Sequence, residues 1–367
     1  MAIVKPFKAV RPSRDKVALV SSKSFDAYTD KELDAKLEFN PFTFLHILNP
    51  GYKYHQEFSG EQRFQMIHNR YEEFKENKIF IKDETASFYI YESSNAHDYF
   101  CGIIGATAVD DYTNGTIKKH EGTIKKREQL FETYLKTTGF NAEPVLLTYK
   151  DDEKFNTLLQ TLKKKRPEYE FSTTDKKLHR LWLVNDKENI KKIISFFEDK
   201  EALYIADGHH RSASSSLLKT DLQAENIHHK GDENYNFFMS YIIPESNLKI
   251  SEFNRFIKDL NGLSIDEFLI KLDKSYRIED RGEHFYKPSQ KHHFSMYLGG
   301  KFYSLYLRKS LFLNGDALSK LDAEILHRTI LKPILGINNL NNNDRISYRN
   351  NKLDLLSIKT LVDDGRF

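Results

Sequence analysis

The sequence predicts an α+β chain built from more than one sub-domain. At 367 residues it is longer than one hydrophobic core usually organises. Segments of helical periodicity interleave with short apolar, strand-like runs along the whole length. Hydrophobic residues make up 39% and aromatic residues 13%, chiefly Phe (27) and Tyr (20), which supplies packed cores and argues against wholesale disorder.

In order along the chain, residues 3–10 read as a short strand interrupted by Pro6, followed by a turn at Arg11-Pro12-Ser13. Asp30-Lys31-Glu32-Leu33 opens a helix, with Thr29 or Asp30 as N-cap and acidic residues in the first turn. Asn40-Pro41 stops it, and residues 42–48 are apolar enough for a buried strand. Residues 60–78 form an amphipathic helix, because Phe64, Ile67, Tyr71 and Phe74 share one face. Residues 87–92 and 99–109 are strands turning at Ser93-Ser94-Asn95. Residues 123–138 are a long polar helix ended by Gly139, a natural C-cap. A strand at 144–149, a helix at 155–165, a strand at 178–184 with the sole Trp, Trp182, and a helix at 188–200 follow. The short apolar strand 202–206 then runs straight into Asp207-Gly208-His209-His210-Arg211 and a Ser- and Ala-rich helix at 212–219. Beyond it the pattern gives a strand at 237–243, a helix at 264–275, strands at 293–298 and 303–308, and an apolar helix at 322–331. Residues 338–343 are an Asn-rich loop.

Composition removes several function classes. Lys and Arg number 56 against 53 Asp and Glu, a net charge of +3, which is too even for nucleic acid as the main partner. The densest basic run, Lys163 to Arg166, reads as a solvated helix end before Pro167. A single cysteine, Cys101, excludes disulfide frameworks and Cys-rich metal sites; its apolar neighbours make it a buried, inert thiol. No signal pattern opens the chain, and no apolar run approaches the roughly 20 residues that span a bilayer. The expected location is cytoplasmic, with no membrane partner.

The segment that carries chemistry is the Asp207–Arg211 turn. A strand that turns directly into a helix presents main-chain N–H groups at the helix start, and these, with the helix dipole, favour an anion such as phosphate. Arg211 can grip a phosphate in bidentate fashion, and Gly208 permits close approach or a positive φ. His209 and His210 are supplied by the same turn, and Ser212 opens a run of small side chains that lets the helix pack closely. Asp207 can hold a magnesium ion, accept a proton or cap the helix. Asp-Gly is also an ordinary turn, and paired histidines can be surface residues. Zinc at His209, His210 and Asp207 is conceivable, but adjacent histidines at a helix start diverge and no HExxH-like spacing accompanies them. Neither a GxxxxGK[ST] phosphate loop nor a GxGxxG fingerprint is present. A second candidate, His120-Glu121, reads as an acid/base pair or as the acidic first turn of the 123–138 helix, and locally the capping reading prevails. Lys5 and Arg11, at the ends of the first strand, say little alone.

Five segments, Lys5-Pro6-Phe7-Lys8-Ala9-Val10-Arg11-Pro12, Asn40-Pro41-Phe42-Thr43-Phe44-Leu45-His46, Ile117-Lys118-Lys119-His120-Glu121-Gly122-Thr123, His179-Arg180-Leu181-Trp182 and Tyr204-Ile205-Ala206-Asp207-Gly208-His209-His210-Arg211, occur in this order. The series resembles an uncharacterised prokaryotic family, the domain of unknown function 1015 family, whose hallmark is the IADGHHR segment, and the resemblance covers nearly the whole chain. The Asp-Gly-His-His-Arg turn is also similar to one in the ParB/sulfiredoxin-like superfamily, which includes CTP-binding ParB proteins, sulfiredoxin and a kinase for free serine. In those proteins the turn and following helix bind nucleotide phosphates.

That likeness implies a ParB/sulfiredoxin-like nucleus at 1–50 with 170–245, an inserted sheet-and-helix region at 51–169 and a C-terminal α/β region at 246–367. It implies a nucleotide-dependent small-molecule kinase or phosphotransferase that uses ATP or ADP with Mg2+ on a small hydroxylated metabolite. Gly208, His210, Arg211 and Ser212 would bind phosphates and Asp207 would help to place the metal. His209 and His210 would orient or neutralise the transferring group, and His120 or Glu121 would act as base. The alternatives are a nucleotide-binding regulatory module without metabolite turnover and a metal-dependent hydrolase; the oligomeric state stays open. Two departures from the family pattern stand out. Lys23-Ser24-Phe25-Asp26 replaces a common Pro-Pro-Tyr-Asp, and a Pro-Lys-Ser-Thr-rich closing segment is not found before Phe367.

Overall fold

Residues 1–250, 253–312, 316–340, 343–350 and 355–367 are described by the structure, a computed structural model, and fall into two compact units, Met1–Lys249 and Ile250–Phe367. The chain is mixed α+β. Strands of the first unit are β1 (Val4–Lys5), β2 (Val10–Pro12), β3 (Phe80–Lys82), β4 (Phe88–Ser94), β5 (Tyr99–Ala108), β6 (Ile117–Lys118), β7 (Val145–Tyr149), β8 (Tyr169–Ser172), β9 (Leu178–Val184), β10 (Leu203–Asp207) and β11 (Phe237–Pro244). Its helices are α1 (Val17–Val20), α2 (Asp30–Phe39), α3 (Leu45–Leu48), α4 (Gly60–Glu76), α5 (Val109–Thr113), α6 (Lys125–Thr138), α7 (Glu153–Leu162), α8 (Lys187–Glu198) and α9 (His209–Glu225).

A nine-stranded sheet organises this unit, in the order β6-β10-β7-β11-β5-β4-β9-β8 with β1 added on β5. Strands from 51–169 and strands from 170–245 share this one sheet. Phe88, Ile90, Ile103, Leu147, Phe238 and Ile242 are buried in one cluster with Phe155 and Leu159 of α7 and Ile193 and Phe197 of α8. Each such side chain contributes about 1.5–3 kcal/mol by leaving water. A second cluster joins Val20, Ile47 and Phe80 to Phe64, Ile67 and Phe74 of α4, the apolar face that its periodicity predicts.

Local signals hold where a cap is written into the sequence. Thr29 caps α2 in a reciprocal capping box with Glu32, and Gly139 ends α6 at φ +76°. The strand expected at 42–48 is absent. The Asn40 side chain accepts from the Phe42 N–H at 3.1 Å and the Thr43 hydroxyl from the Leu45 N–H at 3.4 Å. These bonds bend the chain, and the apolar run buries Leu45 and Ile47 from the short helix α3 instead. Lys163 is a second departure. It is not part of a solvated helix end but donates to Glu92 Oε2 at 2.8 Å and to the Tyr99 hydroxyl at 2.6 Å. Cys101 is buried as expected, and burial pushes its thiol pKa up.

The second unit contains β12 (Phe253–Ile257), β13 (Tyr276–Gly282), β14 (His293–Leu298), β15 (Lys301–Leu307) and β16 (Ile346–Asn350), with α10 (Ile265–Asp273), α11 (Asp322–Leu326) and α12 (Leu355–Asp363). β13, β15 and β14 form an antiparallel sheet, and β12 pairs with β16. Ser264 and Glu267 cap α10 reciprocally. The helix predicted at 322–331 is α11 continued by a π-helical turn, His327–Leu331. Phe268, Leu272, Tyr276, Leu305 and Leu331 centre its core. The Asn-rich loop expected at 338–343 lies partly outside the described residues. Among the described residues no helix is long and apolar enough to cross a membrane.

Candidate functional site

Sheet topology brings three distant segments to one place. β6 and β10 are parallel neighbours, so both leave the sheet at the same end; β6 runs on into Lys119-His120-Glu121 and β10 into Gly208-His209. β7 lies antiparallel to β10, so the residues that lead into it, Glu143 and Pro144, lie at that end too. His120-Glu121 and the Asp207–Arg211 turn, a pair that would have to share one cleft if both are functional, lie together at that end of the sheet.

β10 is a half-exposed strand and not the fully buried one that its apolar run suggests: Leu203 and Ile205 are buried while Tyr204 and Asp207 are exposed. Burial alternates along the strand, so only the face carrying Leu203 and Ile205 is covered. Its pairing with β7 slips by one residue, with Ile205 opposite Leu147 and Asp207 opposite Leu146. Gly208 follows with φ +100° and precedes a 17-residue helix that starts at His209 rather than at Ser212. An added Cβ at Gly208 would lie 3.1 Å from Arg211 Nε and 3.3 Å from the Val145 Cα.

The start of α9 has no side-chain cap and no acidic residue in its first turn. By position, the N–H groups of His209, His210 and Arg211 are the donors that a helix start leaves without an intrahelical partner. Arg211 donates from Nη1 to Glu143 Oε2 at 2.7 Å and from Nη2 to the Asp207 carboxylate. Both carboxylates are well exposed, Asp207 at 71%. Ser212 is fully buried, and its N–H and hydroxyl both donate to the Gly208 carbonyl, at 2.9 Å and 3.2 Å. Ser214 and Ser215 likewise bond back along the helix, which lets α9 pack against α5 and α6 through small side chains. His210 is half-buried.

His209 is only 5% exposed. Its Nε2 accepts from the His120 main-chain N–H at 3.4 Å, and its Nδ1 faces Glu121 Oε2 at 3.8 Å. The His120 and His209 rings meet edge to face, 4.4 Å apart at 87°. Burial, and then the field of His120, pushes the His209 pKa down to about 4 although Asp207 pulls the other way. The imidazole is therefore neutral near pH 7, with its proton on Nδ1 when Nε2 accepts. His120 and Glu121 do not cap α6: they lie in the connection before it, α6 starts at Lys125 after an N-cap Ile124 that makes no side-chain bond, and its first acidic residue is Glu128. Both side chains are exposed.

Glu143 is the participant that local sequence patterns do not reveal; only the β7–β10 pairing places it. Lys5 and Arg11 belong elsewhere: Lys5 Nζ lies 4.6 Å from the centre of the Phe237 ring, and Arg11 is tied to Asp83, Glu168 and Tyr169. A depression of about 630 Å³ lined by Ser13, Lys16, Phe42, Arg70 and Phe74 involves none of these candidate residues. The chemistry of the turn, and not the size of a cavity, marks the site.

A family model described as protein of unknown function (DUF1015) matches residues 4–324. No curated protein and no solved structure matches the chain.

Proposed function

We propose, for a chain that belongs to the DUF1015 family, that the Asp207–Arg211 turn binds the phosphates of ATP or ADP and that the protein transfers a phosphoryl group to a small hydroxylated metabolite. The observation that carries this reading is the uncapped start of α9, free of acidic side chains in its first turn, with the Arg211 guanidinium beside it. Such a helix start attracts phosphate through its N–H groups and dipole, and the guanidinium adds a charge-assisted grip.

Arg211 is held by Asp207 and Glu143. A phosphate that takes over the guanidinium frees both carboxylates. Asp207 then receives the proton of the acceptor hydroxyl, while Glu143 would hold Mg2+ that arrives with the nucleotide, an oxygen ligand of the kind this ion prefers. The acceptor oxygen bonds to the terminal phosphorus as the bond from that phosphorus to the bridging oxygen breaks, and the shortened nucleotide leaves. Positioning and charge neutralisation are the main requirements of such a transfer. The likeness of the turn to the ParB/sulfiredoxin-like one supports the same reading, and with it a nucleus of that type at 1–50 and 170–245.

Terminally labelled ATP and ADP, offered with a panel of small hydroxy acids and hydroxy amino acids, test the proposal. Acceptor-dependent formation of a phosphomonoester is the expected result. Tight nucleotide binding without turnover would assign a regulatory role instead, and absence of binding would remove the reading.

A further inference from the structure

We infer that His120, Glu121 and His209 form a binding site for a single divalent transition-metal ion of the zinc class. One ligand atom from each side chain lies within 4.8 Å of the other two. A tetrahedral zinc ion with bonds of about 2.0–2.2 Å holds its ligand atoms roughly 3.4 Å apart. The His209 Nδ1 to Glu121 Oε2 separation is already 3.8 Å. The remaining closure falls on His120 and Glu121, which are exposed and lie in the irregular connection between β6 and α6.

The cluster is built like a site that keeps an open position. His209 is fixed in the first turn of a 17-residue helix and is 5% exposed, while the other two ligands approach from a separate segment. Among the described residues Glu121 has no ion-pair partner except His209, and the neighbouring Lys119 places its ammonium 3.8 Å from the centre of the Tyr112 ring. An unpaired carboxylate facing a buried imidazole is an arrangement that a cation stabilises. Two imidazoles and one carboxylate suit zinc, cobalt or manganese better than magnesium, which prefers oxygen ligands and keeps its water. Binding through Nδ1 moves the ring proton to Nε2 and gives up the His120 N–H contact, which at 3.4 Å is a long one. Three protein ligands leave room for water or a substrate oxygen.

This inference does not rest on the nucleotide reading, although His209 belongs to the same turn, and its test uses metal alone. The full chain, stripped of metal, is titrated calorimetrically with Zn2+, Co2+ and Mg2+, and the Co2+ absorption spectrum is recorded. Expected are one tight equivalent of Zn2+ or Co2+, a tetrahedral or five-coordinate cobalt spectrum, and much weaker Mg2+ binding. His120→Ala and Glu121→Gln should each weaken Zn2+ binding at least about tenfold. Both side chains are exposed, so the metal-free melting temperature should not move. No tight equivalent, Zn2+ affinity unchanged in both variants, or Mg2+ binding as tight as Zn2+ would overturn the assignment.

Discussion

Arg211 donates from Nη1 to the Glu143 carboxylate at 2.7 Å, tying the start of α9 to the residues that lead into β7. An incoming phosphate must compete with that contact. Glu143→Gln removes one of the two charges that hold the guanidinium. An exposed pair of this kind is worth about 0.2–1 kcal/mol, so ATP affinity measured without Mg2+ should rise by up to roughly fivefold. Titration calorimetry on the variant checks this, and an affinity that falls would show that Glu143 serves the nucleotide directly.

Arg211→Ala should weaken nucleotide binding by about 1.5–3 kcal/mol, or roughly ten- to a hundredfold. Its partners are exposed carboxylates, so the melting temperature without ligand should stay close to the parent value. Unchanged affinity in a folded variant would sink the phosphate assignment.

Asp207→Asn separates binding from chemistry. It releases Arg211 from one carboxylate, so nucleotide affinity should hold or improve. Transfer should slow by about 10²–10⁴, the usual contribution of a positioned proton acceptor. Steady-state rates set beside a binding isotherm decide; a rate equal to that of the parent removes Asp207 from the chemistry.

Gly208→Ala places a Cβ where φ is +100° and where Arg211 Nε and the Val145 Cα lie at 3.1 Å and 3.3 Å. The left-handed backbone alone costs about 1–3 kcal/mol. Urea unfolding should show a loss of that size, and nucleotide binding should weaken because the first N–H groups of α9 shift. A variant as stable as the parent would mean that the turn relaxes without strain.

Lys163→Met tests the buried ion pair with Glu92, whose side chains are 10% and 6% exposed. Burial by itself would raise the Glu92 pKa, but hydrogen bonds from Lys163, Tyr99 and Arg180 outweigh it and hold the carboxyl below its usual value. The folded state thus binds its proton less readily than the unfolded chain. The pair's contribution is complete above the unfolded pKa of about 4.3 and is lost as pH falls through the lower folded value. Removing Lys163 should destabilise by about 1–3 kcal/mol at neutral pH, since Arg180 still faces Glu92 at 3.2 Å, and should partly flatten this acid dependence. Chemical denaturation between pH 3 and 7 (roughly the window set by these pKa values) would reveal a parent-like curve if the pair is inert.

Much of the fold was legible because its signals are local. Thr29 with Glu32, Gly139, and the Phe64–Phe74 stripe each act within a turn or two of their own position, and the structure puts a cap, a stop and a buried face where they predict. The Phe42–Leu48 run was not legible, because a short apolar stretch has no period to read and the side chains of Asn40 and Thr43 decide its path. Lys163 looked solvated because its partner, Glu92, is 71 positions away. The site divides in the same manner. Asp207-Gly208 announces a turn into a helix, but the meeting of His120 with His209 depends on the parallel pairing of β6 with β10, and Glu143 reaches Arg211 only through the pairing of β7 with β10.

The slip in pairing between Ile205 and Asp207 sets a phase. Partners across a ladder share a face, so standing opposite Leu146 instead of Val145 turns Asp207 to the face away from buried Ile205. Were Ala206 paired in regular register, Asp207 would stand opposite Val145 and its carboxylate would swing toward the apolar side, whereas deleting Ala206 would leave Asp207 opposite Leu146 in an unbroken ladder. A segment that reads in the sequence as a self-sufficient word is thus correct in only one of two orientations, and the bulge that takes Ala206 out of the ladder chooses between them.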